Sequence, residues 1–190
     1  MKIGIVLGLS CFVFVSSIPV AAENCPQTNL IQSMICTDMP AYKEVSPLVY
    51  TQIRSAGAMR SKDGKKIEVF LSNGNFSVEQ MANGYVLPLK NKKEFILVIA
   101  FLNGNNPVAA GTYSPAAGYG KPFWSFAEVR VLSGPQGTNV SFGVREGSAR
   151  IIEMKPDRIC GTFQMQRKHL GQVAAAVSGQ FATQLQESKY

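Results

Sequence analysis

The chain has 190 residues, a formal charge of +7 at pH 7 and a single histidine, with a pI near 9.3. That length is one domain's worth and is enough to bury a real core. The lone histidine excludes metal sites built from histidine clusters, and the absence of a P-loop or a GxGxxG run excludes nucleotide binding by those devices.

Residues 1–22 read as a cleavable secretory leader. Lys2 supplies the positive start, Ile3 to Val15 is almost continuously apolar, and Ser16, Ser17 and Pro19 end the run. Val20-Ala21-Ala22 then places small residues just before Glu23, the order a signal peptidase recognises. A bilayer-spanning helix needs about 20 apolar residues, more than this run offers. Acylation at Cys11 is disfavoured, because Gly8-Leu9-Ser10 lacks the aliphatic residue expected at the third position upstream. Lys2 leaves with the leader and no acid does, so the mature charge is one unit lower.

Export into an oxidising compartment makes one disulfide expected among Cys25, Cys36 and Cys160. Proximity favours Cys25–Cys36, a short loop stapling the N-terminal segment. Pairing of either with Cys160 stays open, and every choice leaves one thiol over. No CxxC spacing occurs, so neither a thioredoxin-like motif nor a zinc site is supported.

Residues 23–60 read as a helical or irregular arm. Leu30, Ile31, Met34 and Ile35 have the spacing of a short amphipathic helical turn, and Tyr42 to Arg60 reads as helix or irregular arm with Pro47 near its front. From Lys65 the text turns to strands. Ile67, Val69 and Leu71 alternate before an Asn73-Gly74 turn, and Phe76 and Val78 open a further short segment. Tyr85 to Leu89 follows Asn83-Gly84. Phe95 to Leu102 is continuously apolar, which predicts a central strand buried on both faces, with Lys90, Lys92, Lys93 and Glu94 as flanking charges.

Val108 to Tyr113 precedes a Gly- and Pro-rich loop over 114–122, and a strand from Phe123 to Leu132 has Trp124, Phe126, Val129 and Val131 as its expected packers. Val140, Phe142 and Val144 alternate, and Glu146-Gly147 reads as a turn. Ala149 to Met154, Ile159 to Met165 and Val173 to Leu185 read as strands, with Pro156-Asp157 as a turn between the first two. Three triplets share Gly-x-aromatic text: Gly111-Thr112-Tyr113, Gly161-Thr162-Phe163 and Gly179-Gln180-Phe181. A glycine there can relieve crowding while the aromatic two residues on packs on the same face. The whole predicts a single antiparallel β-sandwich or barrel-like domain over 61–190, preceded by the short helical arm.

No catalytic set emerges, and no cofactor or metal is expected. His169 lies in a polar turn, no GxSxG elbow or HExxH motif occurs, and the aspartates Asp38, Asp63 and Asp157 all stand in turn-like text. A carboxylate pair acting on envelope polymers is the enzymatic alternative, and a subunit assembling through a strand edge is the structural one. The leading expectation is an exported, non-catalytic binding protein, periplasmic or secreted, engaging a protein or an anionic envelope component rather than nucleic acid. Tyr119, Lys121, Phe123 and Trp124, in and beside the 114–122 loop, are the candidate contact residues, because a rigid β scaffold often carries its binding groups on a loop. Lysine clusters at Lys62/Lys65/Lys66, Lys90/Lys92/Lys93 and Arg167/Lys168 would attract an anion. Asn75-Phe76-Ser77 and Asn139-Val140-Ser141 match a glycosylation sequon that matters only in a eukaryotic source. The compact leader leans instead toward a Gram-negative periplasm.

Overall fold

The computed structural model describes residues 24–36, 53–82, 95–114, 125–133, 139–140, 146–169 and 171–189. Ten strands and one short helix follow in order: β1 Leu30–Cys36, β2 Ser55–Arg60, β3 Lys66–Ser72, α1 Val78–Ala82, β4 Phe95–Asn103, β5 Gly111–Tyr113, β6 Ser125–Ser133, β7 Asn139–Val140, β8 Glu146–Met154, β9 Arg158–His169 and β10 Gln172–Glu187. They form one sheet in the order β5-β8-β9-β10-β2-β3-β4-β6-β7, with β1 joined to β10 beside that path. The sheet curls into a nearly closed barrel, β5 coming within reach of β6. All neighbouring pairs are antiparallel except β10 with β2, which is parallel.

The strand pattern of the sequence is realised from β3 onward. β4 is buried on both faces: Leu97, Ile99 and Phe101 enter the barrel core, while Ile96 and Val98 join Phe70 and Met81 in a second cluster beneath α1. That explains its continuous hydrophobicity, since neither face of the strand meets water. The segment after Asn75 is helix rather than strand. Ser77 and Gln80 form a reciprocal cap, the Gln80 N–H donating to Ser77 Oγ at 3.2 Å and the Ser77 N–H to Gln80 Oε1 at 2.8 Å.

The helical reading of the N-terminal arm is corrected at Leu30–Cys36 and Ser55–Arg60, while residues 37–52 lie outside the described residues. Residues 30–36 are a strand on β10, and Ser55–Arg60 is a strand between β10 and β3. In β1 a register shift between Ile31 and Ser33 breaks the two-residue alternation and leaves apolar residues at helix-like spacing. In β2 the run Ser-Ala-Gly-Ala carries little β signal of its own, and it is the pairing on both edges that makes it a strand. Residues 41–52 and the strand text at Tyr85–Leu89, Phe142 and Val144 lie outside the described residues. Glu146-Gly147 opens β8 instead of forming a turn, and His169 is the last residue of β9 rather than part of a loop.

The Gly-x-aromatic triplets interlock. In the β9–β10 register Gly161 stands opposite Phe181 and Gly179 opposite Phe163, so each ring lies across from the other strand's glycine. A methyl at Gly161 would collide with the Arg150 carbonyl and come 2.7 Å from the Phe181 ring; one at Gly179 would meet the Leu30 carbonyl and come 2.7 Å from the Phe163 ring. Tyr113, Phe163 and Phe181 are all buried. Phe101 packs edge-on against Tyr113 at 5.2 Å and tilted against Phe181 at 6.0 Å, joining opposite walls of the barrel. The Tyr113 hydroxyl donates to the Ala109 carbonyl at 2.7 Å and accepts from the Ala109 N–H at 3.0 Å, which satisfies this buried polar group and pins the β4–β5 loop.

Candidate functional site

Cys25 pairs with Cys160, not with Cys36, with the two Cα atoms 5.7 Å apart. The cause is the strand character of β1. At about 3.3 Å per residue the extended segment from Leu30 carries Cys36 about 20 Å along β10, while Cys25, ahead of the strand, lies over β9 at Cys160. Cys160 instead stands on the outward-facing register of β9 between Ile159 and Gly161, where the chain just before β1 passes over it. The same crossing is fastened by the Ala182 N–H donating to Asn29 Oδ1 at 2.9 Å and by Gln180 Nε2 donating to the Thr28 carbonyl at 3.2 Å. Cys36, at the end of β1 opposite Ala175, is then the odd thiol of residues 23–190.

Glu153 lies beside the disulfide, its Oε2 3.1 Å from Cys25 Sγ. The sulfur carries no proton, so this is a contact and not a hydrogen bond. Ligand atoms of Cys25, Cys160 and Glu153 all fall within 4.8 Å of one another, but the disulfide consumes both sulfurs and leaves no thiolate for a metal. Lys155 Nζ sits 2.6 Å from Glu153 Oε1. Its hydrogen bond holds that carboxyl below the ordinary carboxylate range.

Other acids of the described residues are likewise engaged. Lys168 Nζ and Gln166 Nε2 both approach Glu146 Oε2, at 2.8 and 3.0 Å, and together lower its carboxyl. Arg60 reaches Glu187 at 2.8 Å and Lys66 reaches Glu68 at 2.7 Å. Asp63 accepts from Ser61 Oγ at 2.7 Å and from the Lys65 N–H at 3.1 Å, which lower it in that order. Glu146 and Glu153 stand seven positions apart on β8, about 23 Å along an extended strand, far from the spacing two glycosidase carboxylates need.

The lysine cluster at Lys62, Lys65 and Lys66 occupies the β2–β3 turn. Backbone hydrogen bonds knit that end of the barrel together: the Val108 N–H donates to the Gly64 carbonyl, Ser188 to Arg60, and Leu185 to Asp157 in the β8–β9 turn. The cluster therefore shares one end with Lys155, Arg158 and Lys189, but acids are interspersed among them. Lys168 is placed at the far end of β9, and Lys90, Lys92 and Lys93 lie outside the described residues.

Tyr119, Lys121, Phe123 and Trp124 also lie outside the described residues. Their neighbours fix where the loop is anchored: it leaves β5 at Tyr113, opposite Ala149, and the chain re-enters the sheet at Ser125, opposite Asn103.

A polar array missed by sequence reasoning stands on the outer face of β5, β8 and β9. Thr112, Arg150 and Thr162 share one cross-strand row, and Ser148 and Gln164 share the next. Their chain neighbours Tyr113, Ala149, Ile151, Gly161, Phe163 and Met165 are buried, so the alternation turns the polar set outward. Arg150 is exposed and has no ion-pair partner among the described residues. The signal was in the text as Ser148-x-Arg150 and Thr162-x-Gln164, but it acquires meaning only once the register aligns the two. No protein-family model, curated protein or solved structure matches this chain.

Proposed function

We propose that this chain is an exported, non-catalytic binding protein of the cell envelope, periplasmic or secreted, whose partner is held on the outside of the barrel. One observation carries the reading: the barrel interior is filled by Phe101, Tyr113, Phe163 and Phe181 packed across it. Where the described strands line it, the interior is occupied by side chains rather than left open to a small ligand, which favours contact through faces and loops. The secretory leader supplies the compartment, and the Cys25–Cys160 disulfide suits an oxidising one. The carboxyls of Glu146 and Glu153, lowered by the hydrogen bonds of Lys168 and Lys155, move away from the range in which a general acid works at neutral pH, which favours binding over hydrolysis at those two positions. No helix among the described residues is long and apolar enough to cross a membrane.

The test is affinity capture by residues 23–190, disulfide intact, from an envelope extract, followed by sizing of what elutes. A partner retained in fixed stoichiometry is the expected result. Release of soluble fragments from cell-wall material with nothing retained would replace this reading with the two-carboxylate hydrolase.

A further inference from the structure

We infer that the outer face of β5, β8 and β9 around Arg150 binds an acidic polysaccharide, an inference that rests on the binding reading above. The row Thr112–Arg150–Thr162 and the row Ser148–Gln164 place three hydroxyls and a carboxamide around one guanidinium. None of these five side chains has a hydrogen-bond or ion-pair partner among the described residues. The contrast with the rest of β8 and β9 is chemical. Glu146 holds Lys168 and Glu153, one row from Arg150, holds Lys155, while Arg150, mid-strand between them, has no ion-pair partner among the described residues.

A guanidinium takes a carboxylate through two parallel N–H donors. The hydroxyls and the Gln164 amide both donate and accept, which matches sugar hydroxyls. The ratio of groups selects the polymer. One cation among four neutral hydrogen-bonding groups suits a chain with one carboxylate per ring and several hydroxyls, whereas a polyanionic peptide would call for several cations. Among the described residues no aromatic ring on these strands offers the stacking that usually supports a neutral glycan, because Tyr113 and Phe163 point into the core. Thr112 and Thr162 are stiff at χ1, so two of the flanking hydroxyls are held in place before binding. The net positive charge of the chain draws a polyanion toward it over longer range.

The experiment uses residues 23–190 with the disulfide intact and three probes: polygalacturonate, dextran and poly-glutamate, followed by calorimetry. Polygalacturonate should bind, weakening about tenfold as salt rises from about 50 to about 300 mM. Arg150→Ala should weaken it about tenfold and Arg150→Lys less, with the melting temperature unchanged. Thr112→Val with Thr162→Val should weaken it several-fold. No binding, equal binding of dextran, poly-glutamate bound as tightly, or indifference to Arg150→Ala would each overturn the inference. If a stoichiometric envelope partner is still captured in that case, the broader binding reading stands without it.

Discussion

Phe163 and Phe181 each stand opposite a glycine of the neighbouring strand, and the exchange makes both glycines irreplaceable by even one methyl group. Gly161→Ala and Gly179→Ala each drive a methyl into a backbone carbonyl, which cannot rotate away as a side chain would. Each should cost about 1–3 kcal/mol or more, read as a lower urea midpoint. Phe181→Ala removes a ring with no exposure and the contact to Phe101 at 6.0 Å. It should cost about 3–5 kcal/mol by the same measurement. A double mutant of Gly179→Ala with Phe163→Leu should recover part of the Gly179→Ala loss, since the ring is one of the groups the methyl strikes. The triplets themselves were legible as repeated text. Their partnership was not, because register belongs to the pairing of two strands and neither strand states it alone.

At the scale of the element, the disulfide and β1 act as one unit. The bond joins positions 135 residues apart, and β1 buries Ile31 while leaving Leu30 45% exposed, so the bridge and the edge hydrogen bonds to β10 fasten this strand together with the Ile31 side chain. Cys25→Ser should lower stability by about 2–4 kcal/mol. It should also raise amide exchange over residues 175–180 of β10, the stretch β1 covers, more than over 159–165. Peptide mapping without reductant should return a Cys25–Cys160 cross-link and one alkylated thiol at Cys36. Long alternating or fully buried strands such as β3, β4 and β10 were readable from hydrophobic period because packing wrote it there. β1 and β2 were not: a bulge scrambles the period of the first, and the second is built of small residues whose strand state depends on its neighbours. The binding face was hidden for a related reason. Thr, Arg, Ser and Gln on a strand look like ordinary solvent-facing text until three strands are aligned.

For the whole molecule, charge and folding meet in the pH response. The carboxyls of Asp63, Glu79, Glu146 and Glu153 all lie below their ordinary values in the fold, through hydrogen bonds and cations that the unfolded chain lacks. A lowered carboxyl stabilises the fold at pH above its unfolded value, and that contribution is lost as pH falls through the folded one. The melting temperature should therefore be steady near neutrality and fall between about pH 5 and about pH 3. Glu146→Gln combined with Glu153→Gln should flatten part of that fall. These groups are exposed, so the slope should be shallow and shrink with added salt. A melting temperature that rises on acidification would contradict the assignment of these ion pairs.

The placement of β10 also has a consequence in time. This last strand pairs with β9 along its length, with β1 over 175–180 and with β2 over 185–187. β1 and β2 precede the other described strands, yet their partner on this side is made more than 100 residues later. A nascent chain therefore holds β1 without its pairing edge until residues 175–180 have been made, and closure must wait on contacts of long sequence separation. Such topologies fold over milliseconds to seconds. A chain truncated before Gln172 would deprive its N-terminal and central strands of a shared neighbour at one stroke. It should accumulate as a protease-sensitive species, in contrast to a chain shortened only after Glu187.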